Sequence, residues 1–356
     1  MALSTARFDD RRRLLQVLGV LPAGAILAGL TACGGGDDEH QVTVADRRVA
    51  VASDVMLHVR DWQTAPTRHV IVLLAGLGAN ARCFDSLAPA LARRARVLAV
   101  SRRGYGQSDK PLPSATRRYD PLALVADLLA LLDALGIDRA VLAGHSIAGN
   151  ELTLFAGRHP QRVRGLIYLD TTFDYTQPAP WDGEPPPDNP ALEEPQPTAA
   201  DNASLAAAIA FAKRVNKNWF PAQEANLRDA LEVSPDGRVR SNTPAEVQAA
   251  MENDGHAFSP DYAAVRAPAL VVTAEQREVA DLLPWLTVQA DAQTKADARA
   301  LLGIWRQVRR LDADRLAAAL PGCRRVNIDN SNHSDFFIEH QDEVVRAIEA
   351  MRWLQP

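Results

Sequence analysis

Cysteine, aromatic side chains and surplus positive charge are all scarce in this 356-residue sequence. Its three cysteines (Cys33, Cys83 and Cys323) are too few for a disulfide scaffold or a Cys-rich zinc site. No H-E-x-x-H, clustered Cys/His or EF-hand spacing occurs, so no metal is expected. Gly34–Gly36, Gly76 and Gly78 form neither G-x-G-x-x-G nor a P-loop ahead of a helix, and no cofactor is expected either. With 39 Lys+Arg against 44 Asp+Glu the net charge is −5, which removes the basic footprint of a nucleic-acid partner. Internal repeats are missing. At 47% hydrophobic and 23% charged, the chain is neither collagenous nor coiled-coil nor disordered. It has length enough for one large or two modest domains with a real core.

The N-terminus reads differently from the rest. Arg7, Arg11, Arg12 and Arg13 precede an uncharged run from Leu14 to Ala32. Leu30-Thr31-Ala32-Cys33 follows, then three glycines and the acidic Asp37-Asp38-Glu39. A basic head, an apolar run and small residues make the secretory pattern. The Leu-Thr-Ala-Cys segment resembles a bacterial lipobox, which implies a signal peptide over 1–32, lipidation at Cys33 and a linker over 33–41. Gly34 after the cysteine resembles the outer-membrane sorting pattern, so the expectation is a chain anchored by lipid in a bacterial envelope. Asp10-Arg11-Arg12-Arg13-Leu14-Leu15 resembles a degenerate twin-arginine signal, leaving the export route open between the two systems. An uncleaved anchor is the alternative, though Pro22 and the glycines weaken such a helix. Cys83 and Cys323 would be free to pair in an oxidising compartment, with nothing in the sequence to bring them together.

Beyond residue 42 strands and helices alternate. Val70–Ala75 is a short apolar run ending at Gly76-Leu77-Gly78, as suits a strand buried on both faces of a parallel sheet. Arg96–Val100, Ala140–Ala143, Leu166–Leu169, Ala269–Thr273 and Val326–Ile328 have the same character. Leu122, Val125, Leu128, Leu129 and Leu132 form one helical stripe, stopped by Gly136. This alternation predicts a doubly wound α/β sheet. Between Asp170 and Pro268 there is no strand signal, and eight prolines fall from Pro178 to Pro197. Helical pieces are expected near Leu205–Val215 and Ala222–Leu231. Residues 171–262 hold 6 Lys+Arg against 15 Asp+Glu, a charge of −9, and read as a helical cap. The cap divides the sheet domain into 42–170 and 263–356.

Ala143-Gly144-His145-Ser146-Ile147-Ala148-Gly149 sits directly after a buried strand and opens a helix. A serine on such a tight turn has its hydroxyl lifted clear of the backbone, and small neighbours let the helix pack close. Here the chain resembles the α/β-hydrolase superfamily, from about Val42 to Leu354, with Ala148 where the family's G-x-S-x-G ends in glycine. The resemblance implies the α/β-hydrolase fold, a mostly parallel sheet with the cap inserted after the sixth strand. It implies Ser146 as nucleophile and the Leu77 and Ile147 amides as oxyanion hole. Arg103-Gly104-Tyr105-Gly106-Gln107-Ser108 matches a structural segment of the family. Where the family often has histidine beside the oxyanion loop, this chain has Ala75.

Asn332-His333-Ser334-Asp335 follows the last predicted strand, the family's place for the general base, so His333 is the expected proton carrier. His145 is expected to pack at the elbow. The acid is open. The family's run after the seventh strand reads Ala274-Glu275-Gln276-Arg277-Glu278 here, with arginine where aspartate usually stands. Asp170, ending the sixth strand, occupies a second location known in the superfamily. Asp170 is therefore weighed against Glu275, Glu278 and Asp174.

These residues imply a hydrolase acting on a small-molecule carboxylic ester through an acyl-enzyme on Ser146. Amide, lactone or C–C hydrolysis and perhydrolysis would use the same groups, and an inactive binding lipoprotein is the non-enzyme alternative. A serine at the elbow excludes chemistry needing a carboxylate nucleophile there. Phe173, Tyr175, Trp181, Trp219 and Phe220 are candidates to line a pocket or to be ordinary core.

Overall fold

A computed structural model of the chain describes residues 41–64, 67–171, 174–177, 183–320, 322–351 and 353. The expected signal peptide, Cys33 and the linker up to residue 40 lie outside the described residues, as do Phe173 and Trp181. Among the described residues no helix is long and apolar enough to cross a membrane.

Two antiparallel strands, β1 (Thr43–Ala52) and β2 (Val55–Gln63), begin the sheet. Next come β3 (Val70–Leu74), helix α1 (Leu87–Leu91) and β4 (Arg96–Ser101). Helix α2 (Pro121–Ala134), β5 (Ala140–His145), α3 (Ala148–Arg158) and β6 (Val163–Leu169) complete the first half. The chain then leaves the sheet for α4 (Leu205–Val215), α5 (Pro221–Asp229), a hairpin of β7 (Leu231–Val233) and β8 (Val239–Ser241), and α6 (Ala245–His256). It returns with β9 (Ala269–Glu275), α7 (Val279–Leu282), α8 (Ala292–Ala319), β10 (Arg324–Asp329), α9 (Phe336–Glu339) and α10 (Gln341–Glu349). The main sheet has eight strands in the order β1-β2-β4-β3-β5-β6-β9-β10, parallel from β4 to β10. This is the doubly wound α/β sheet expected from the alternation.

Alternate side chains of each central strand feed two cores. In β3, Ile71 and Leu73 enter one, while Val70, Val72 and Leu74 enter the other. Burial on both faces explains why these strands read as unbroken apolar runs. Cys83 lies in the first core and Cys323 against the second; both thiols are free, so the pairing considered from sequence is not made.

Two local expectations need correction, and one long helix was missed. In α2 the buried stripe is Leu124, Val125, Leu128, Leu131 and Leu132, while Leu122 is 39% exposed. The N-cap Asp120 and Pro121 fix the helix start, and this rotational setting turns Leu122 outward. The insertion is not strand-free either: β7 and β8 pair around a turn with Gly237 at φ +86°. Their three-residue strands, mostly exposed, are too short to show a period. The 28-residue α8 was not foreseen. It packs Ala298, Leu301, Trp305 and Val308 against Leu192 of the inserted segment.

Gly165 in β6 is where the sheet admits Trp353, since a Cβ there would lie 1.8 Å from the indole ring. Gly165→Ala should destabilise by about 1–3 kcal/mol through overpacking. Urea unfolding of the variant against wild type measures it.

Candidate active site

Among the described residues, three non-glycine residues have positive φ: Ser146 (54°), Asp170 (49°) and Asn330 (55°). Each follows the C-terminal end of a parallel strand, β5, β6 and β10 respectively. Left-handed backbone is uncommon outside glycine and costs about 1–3 kcal/mol unless the surroundings enforce it. Here it turns the chain sharply enough to place three segments at one rim of the sheet.

At the first turn, Ser146 N–H donates to Leu169 O at 3.1 Å, binding the elbow to the neighbouring strand. The flanking small residues have separate reasons. A Cβ at Gly144 would stand 2.6 Å from Leu152 and 3.1 Å from the Ala148 methyl. A Cβ at Gly149 would meet the Thr171 hydroxyl at 1.9 Å. Glycine is thus demanded one place later than in the family pattern, and Ala148 fits as a wholly buried methyl.

His333 Nε2 lies 3.0 Å from Ser146 Oγ, and its Nδ1 lies 2.5 Å from Asp170 Oδ2. The network assigns the proton to Nδ1, donated to the carboxylate, with Nε2 accepting from the hydroxyl. Asp170 also takes the Ala274 amide at 3.0 Å and an ion pair from Arg309, both on Oδ1. Burial would raise this carboxyl. The Arg309 charge, the His333 hydrogen bond and the Ala274 amide overcome it and hold the group down at about 2. Of the carboxylates weighed from sequence, Asp170 is the one bonded to the imidazole. Glu275 closes β9 with its carbonyl accepting from Ser331 N–H. Glu278 is exposed at the N-cap of α7. Asp174 accepts from Thr176 and, at 2.7 Å, from Ser259.

The loop carrying His333 is tied from several sides. His145 is buried, and its Nε2 lies 2.9 Å from His333 O, with the two rings 4.7 Å apart. Burial, then the neighbouring His333, push the His145 imidazole down to about 3, so it is neutral and donates as packing at the elbow. Gln276 Nε2 donates to Ser331 O at 3.0 Å, and Lys217, between α4 and α5, donates to Asn330 O at 2.9 Å.

The loop of Gly76 and Leu77 lies directly against the serine: a Cβ at Gly76 would be 2.8 Å from His145 Nδ1 and 3.2 Å from Ser146 Cβ. The Leu77 and Ile147 amides thus belong to the two segments flanking the hydroxyl. Support that Ala75 does not provide comes from Arg102, whose Nη2 donates to both Ala75 O and Gly76 O at 2.7 Å. Its Nη1 pairs at 2.5 Å with the buried Glu151, whose carboxyl burial pushes up despite that charge. Asn150 ties α3 to the inserted helix by donating to Gly255 O at 2.9 Å.

Sequence reasoning missed Arg102 and Arg309. Arg309 had a signal: it stands four residues after Trp305 on the buried face of α8, a charge where the stripe is apolar. Of the candidate aromatics, Trp219 donates to Glu224 at 3.1 Å, Phe220 packs on the first core, and Tyr175 stacks near His256. No group of residues that could hold a metal occurs among the described residues.

A family model described as alpha/beta hydrolase fold matches residues 69–204. A putative carbamate hydrolase of Caulobacter segnis is 32% identical over 116 residues, 33% of this chain and 42% of that protein. A 2-(acetamidomethylene)succinate hydrolase of Mesorhizobium japonicum is 29% identical over 126 residues, 35% of this chain and 42% of that one. The chain thus spans about two fifths of the length of these curated relatives. The crystal structure of an E-2-(acetamidomethylene)succinate hydrolase aligns over 86% of this chain and 98% of that one, with TM-score 0.56 and 20% identity.

One buried carboxyl near His333 carries a pH signature. Asp335, accepting from Gln223 of α5 at 3.3 Å, is pushed up to about 7, by burial first and then by Glu339, with Lys217 opposing. An acid raised on folding weakens the fold progressively as pH climbs from its unfolded value through the folded one. Asp335→Asn should therefore be close to neutral near pH 4 and stabilising by a few kcal/mol, to order of magnitude, near pH 8. Urea midpoints at the two pH values check it.

Proposed function

We propose that this chain, which has the α/β-hydrolase fold, is a serine hydrolase cleaving a carboxylic ester of a small or medium molecule. The observation that carries the reading is the unbroken hydrogen-bonded line from Ser146 Oγ through His333 to Asp170, at 3.0 and 2.5 Å. In this reading His333 Nε2 takes the hydroxyl proton as Oγ attacks the carbonyl carbon. The Leu77 and Ile147 amides receive the developing oxyanion, a contribution of roughly 10²–10³ in rate per donor. The proton passes from Nε2 to the leaving alcohol, leaving an acyl group on Ser146. Water, deprotonated by the same nitrogen, then releases the acid. Asp170 remains ionised throughout and steadies the imidazolium.

Residues 171–262 act as a cap in this proposal, and its charge of −9 disfavours polyanionic substrates. A second reading, hydrolysis at an amide or carbamate carbonyl by the same groups, is favoured by the similarity to the putative carbamate hydrolase. An inactive binding protein is disfavoured by an acid, base and nucleophile that remain in register.

Hydrolysis of p-nitrophenyl acetate and butyrate tests the class. Ser146→Ala and Asp170→Asn should each lower kcat by about 10⁴ or more, and Ser146→Ala should abolish labelling by a fluorophosphonate probe. Labelling that persists in Ser146→Ala would remove the serine from the mechanism. Active wild type with near-normal Asp170→Asn would remove the aspartate. Turnover of carbamates or amides in preference to esters would select the second reading.

The N-terminal pattern carries a further proposal, that the mature chain begins at Cys33 and is anchored by lipid in the bacterial envelope. Cells expressing the full chain with radiolabelled palmitate should yield a labelled membrane-bound protein. Cys33→Ala should lose the label, and retention of it would defeat the assignment.

A further inference from the structure

Arg309 is a buried guanidinium in the middle of α8, and its Nη2 pairs with Asp170 Oδ1. That oxygen is the one turned away from the base, since Oδ2 takes His333 Nδ1. The Ala274 amide from β9 shares Oδ1 at 3.0 Å. A carboxylate with both oxygens occupied cannot rotate without breaking contacts that water does not replace in so buried a place.

Arg309 is itself anchored. The Trp305 ring, one turn earlier, has its centroid 5.9 Å from the guanidinium carbon. The indole Nε1–H donates to Gln276 Oε1 at 2.8 Å, and Gln276 Nε2 donates to Ser331 O at 3.0 Å, two residues before His333. One connected set of contacts therefore reaches both the acid and the loop of the base, by way of a helix that carries none of the reacting groups.

We propose that Arg309 is a positioning residue of the site, its charge keeping Asp170 ionised and its contact with Oδ1 holding Oδ2 toward His333. The inference rests on the serine-hydrolase reading above. Its physical basis is the cost of a fully buried carboxylate, which burial alone drives toward the neutral acid. A neutral carboxyl cannot stabilise an imidazolium, so without the guanidinium the relay fails as pH falls.

Several groups face the pair, and the buried Asp312 stands three residues after Arg309 on the same face of α8. Asp170 meets Arg309 from α8, His333 from the loop after β10 and the Ala274 amide from β9. His333 meets Ser146 and the neutral His145 from the end of β5, with Arg102 acting on His145 from beyond. Near the same loop lie Asp335, Glu339, Lys217 and Asp281. Because Asp335 is pushed up to about 7, each pH profile is measured in an Asp335→Asn background as well.

The test compares kcat/KM for p-nitrophenyl butyrate from about pH 4 to about pH 9 in wild type, Arg309→Met, Arg309→Gln and Arg309→Lys. In the two neutral variants the acid limb should move up by about one pH unit or more, with kcat falling more than KM changes. Arg309→Lys, which keeps the charge, should return the limb close to wild type. A limb that stays in place while activity falls equally at all pH values would mean that Arg309 only fills space, and would overturn the proposal. A readout that needs no Arg309 variant and no activity runs alongside: ¹³C NMR of the Asp170 carboxyl carbon in wild type, assigned by loss of the signal in Asp170→Asn. Asp170 should remain ionised down to about pH 4, and titration between about pH 4 and about pH 7 would overturn the proposal. Should the neutral variants not fold, a wild-type Asp170 that titrates in that range still overturns the proposal. A wild type that neither turns over esters nor binds the fluorophosphonate probe would instead defeat the serine-hydrolase reading, with the carboxyl titration still reporting on the ion pair.

Discussion

The hydrogen bond between Asp170 Oδ2 and His333 Nδ1 is the contact on which the arrangement turns. It joins the end of β6 to a loop after β10, and β9 runs between those two strands. The carboxylate can cross that gap only because the chain takes a left-handed turn at position 170 and because β9 offers a backbone amide to hold it there. Much around it follows from that placement. Just after β9, Gln276 braces the loop that carries His333, and Arg277 pairs with Asp329 at the sheet's outer edge. The cation beside the buried carboxylate, Arg309, arrives from α8.

Those features that depend on neighbours in sequence could be read before any coordinates. The central strands were visible because burial on both faces leaves no polar position to interrupt the run, and α4 begins and ends where its composition says. Ser146 and His333 were legible because each follows a strand at a turn whose residue types are restrictive. The acid was harder. Asp170, Glu275 and Glu278 are all carboxylates near strand ends, and choosing among them needs a distance across the sheet, which no local pattern contains. The partners of Arg102 and Arg309 were illegible for the same reason, as each acts on a group far along the chain, although the place of Arg309 on an apolar stripe marked it as unusual. The register of α2 was misread because leucines are so dense there that several faces qualify as apolar, and the cap on its first turn decides between them.

The inserted segment is fastened to the site and does more than cover it. Lys217 reaches the carbonyl of Asn330, Gln223 reaches Asp335, and Asn150 on the helix after Ser146 reaches Gly255. Each bond joins the insertion to a residue within a few positions of Ser146 or His333. A displacement of the insertion would therefore be felt first in the backbone that holds Ser146 and His333.

The three left-handed turns are not equivalent in what they allow. At Ser146 and Asp170 the strained residue is also the one whose side chain enters the hydrogen-bonded line, so the strain cannot be relieved without loss of that side chain. Asn330 has the same backbone conformation and an exposed side chain. Evolution toward a hardier molecule has one such exit at this rim, glycine at position 330, while the two tighter corners stay locked to their chemistry.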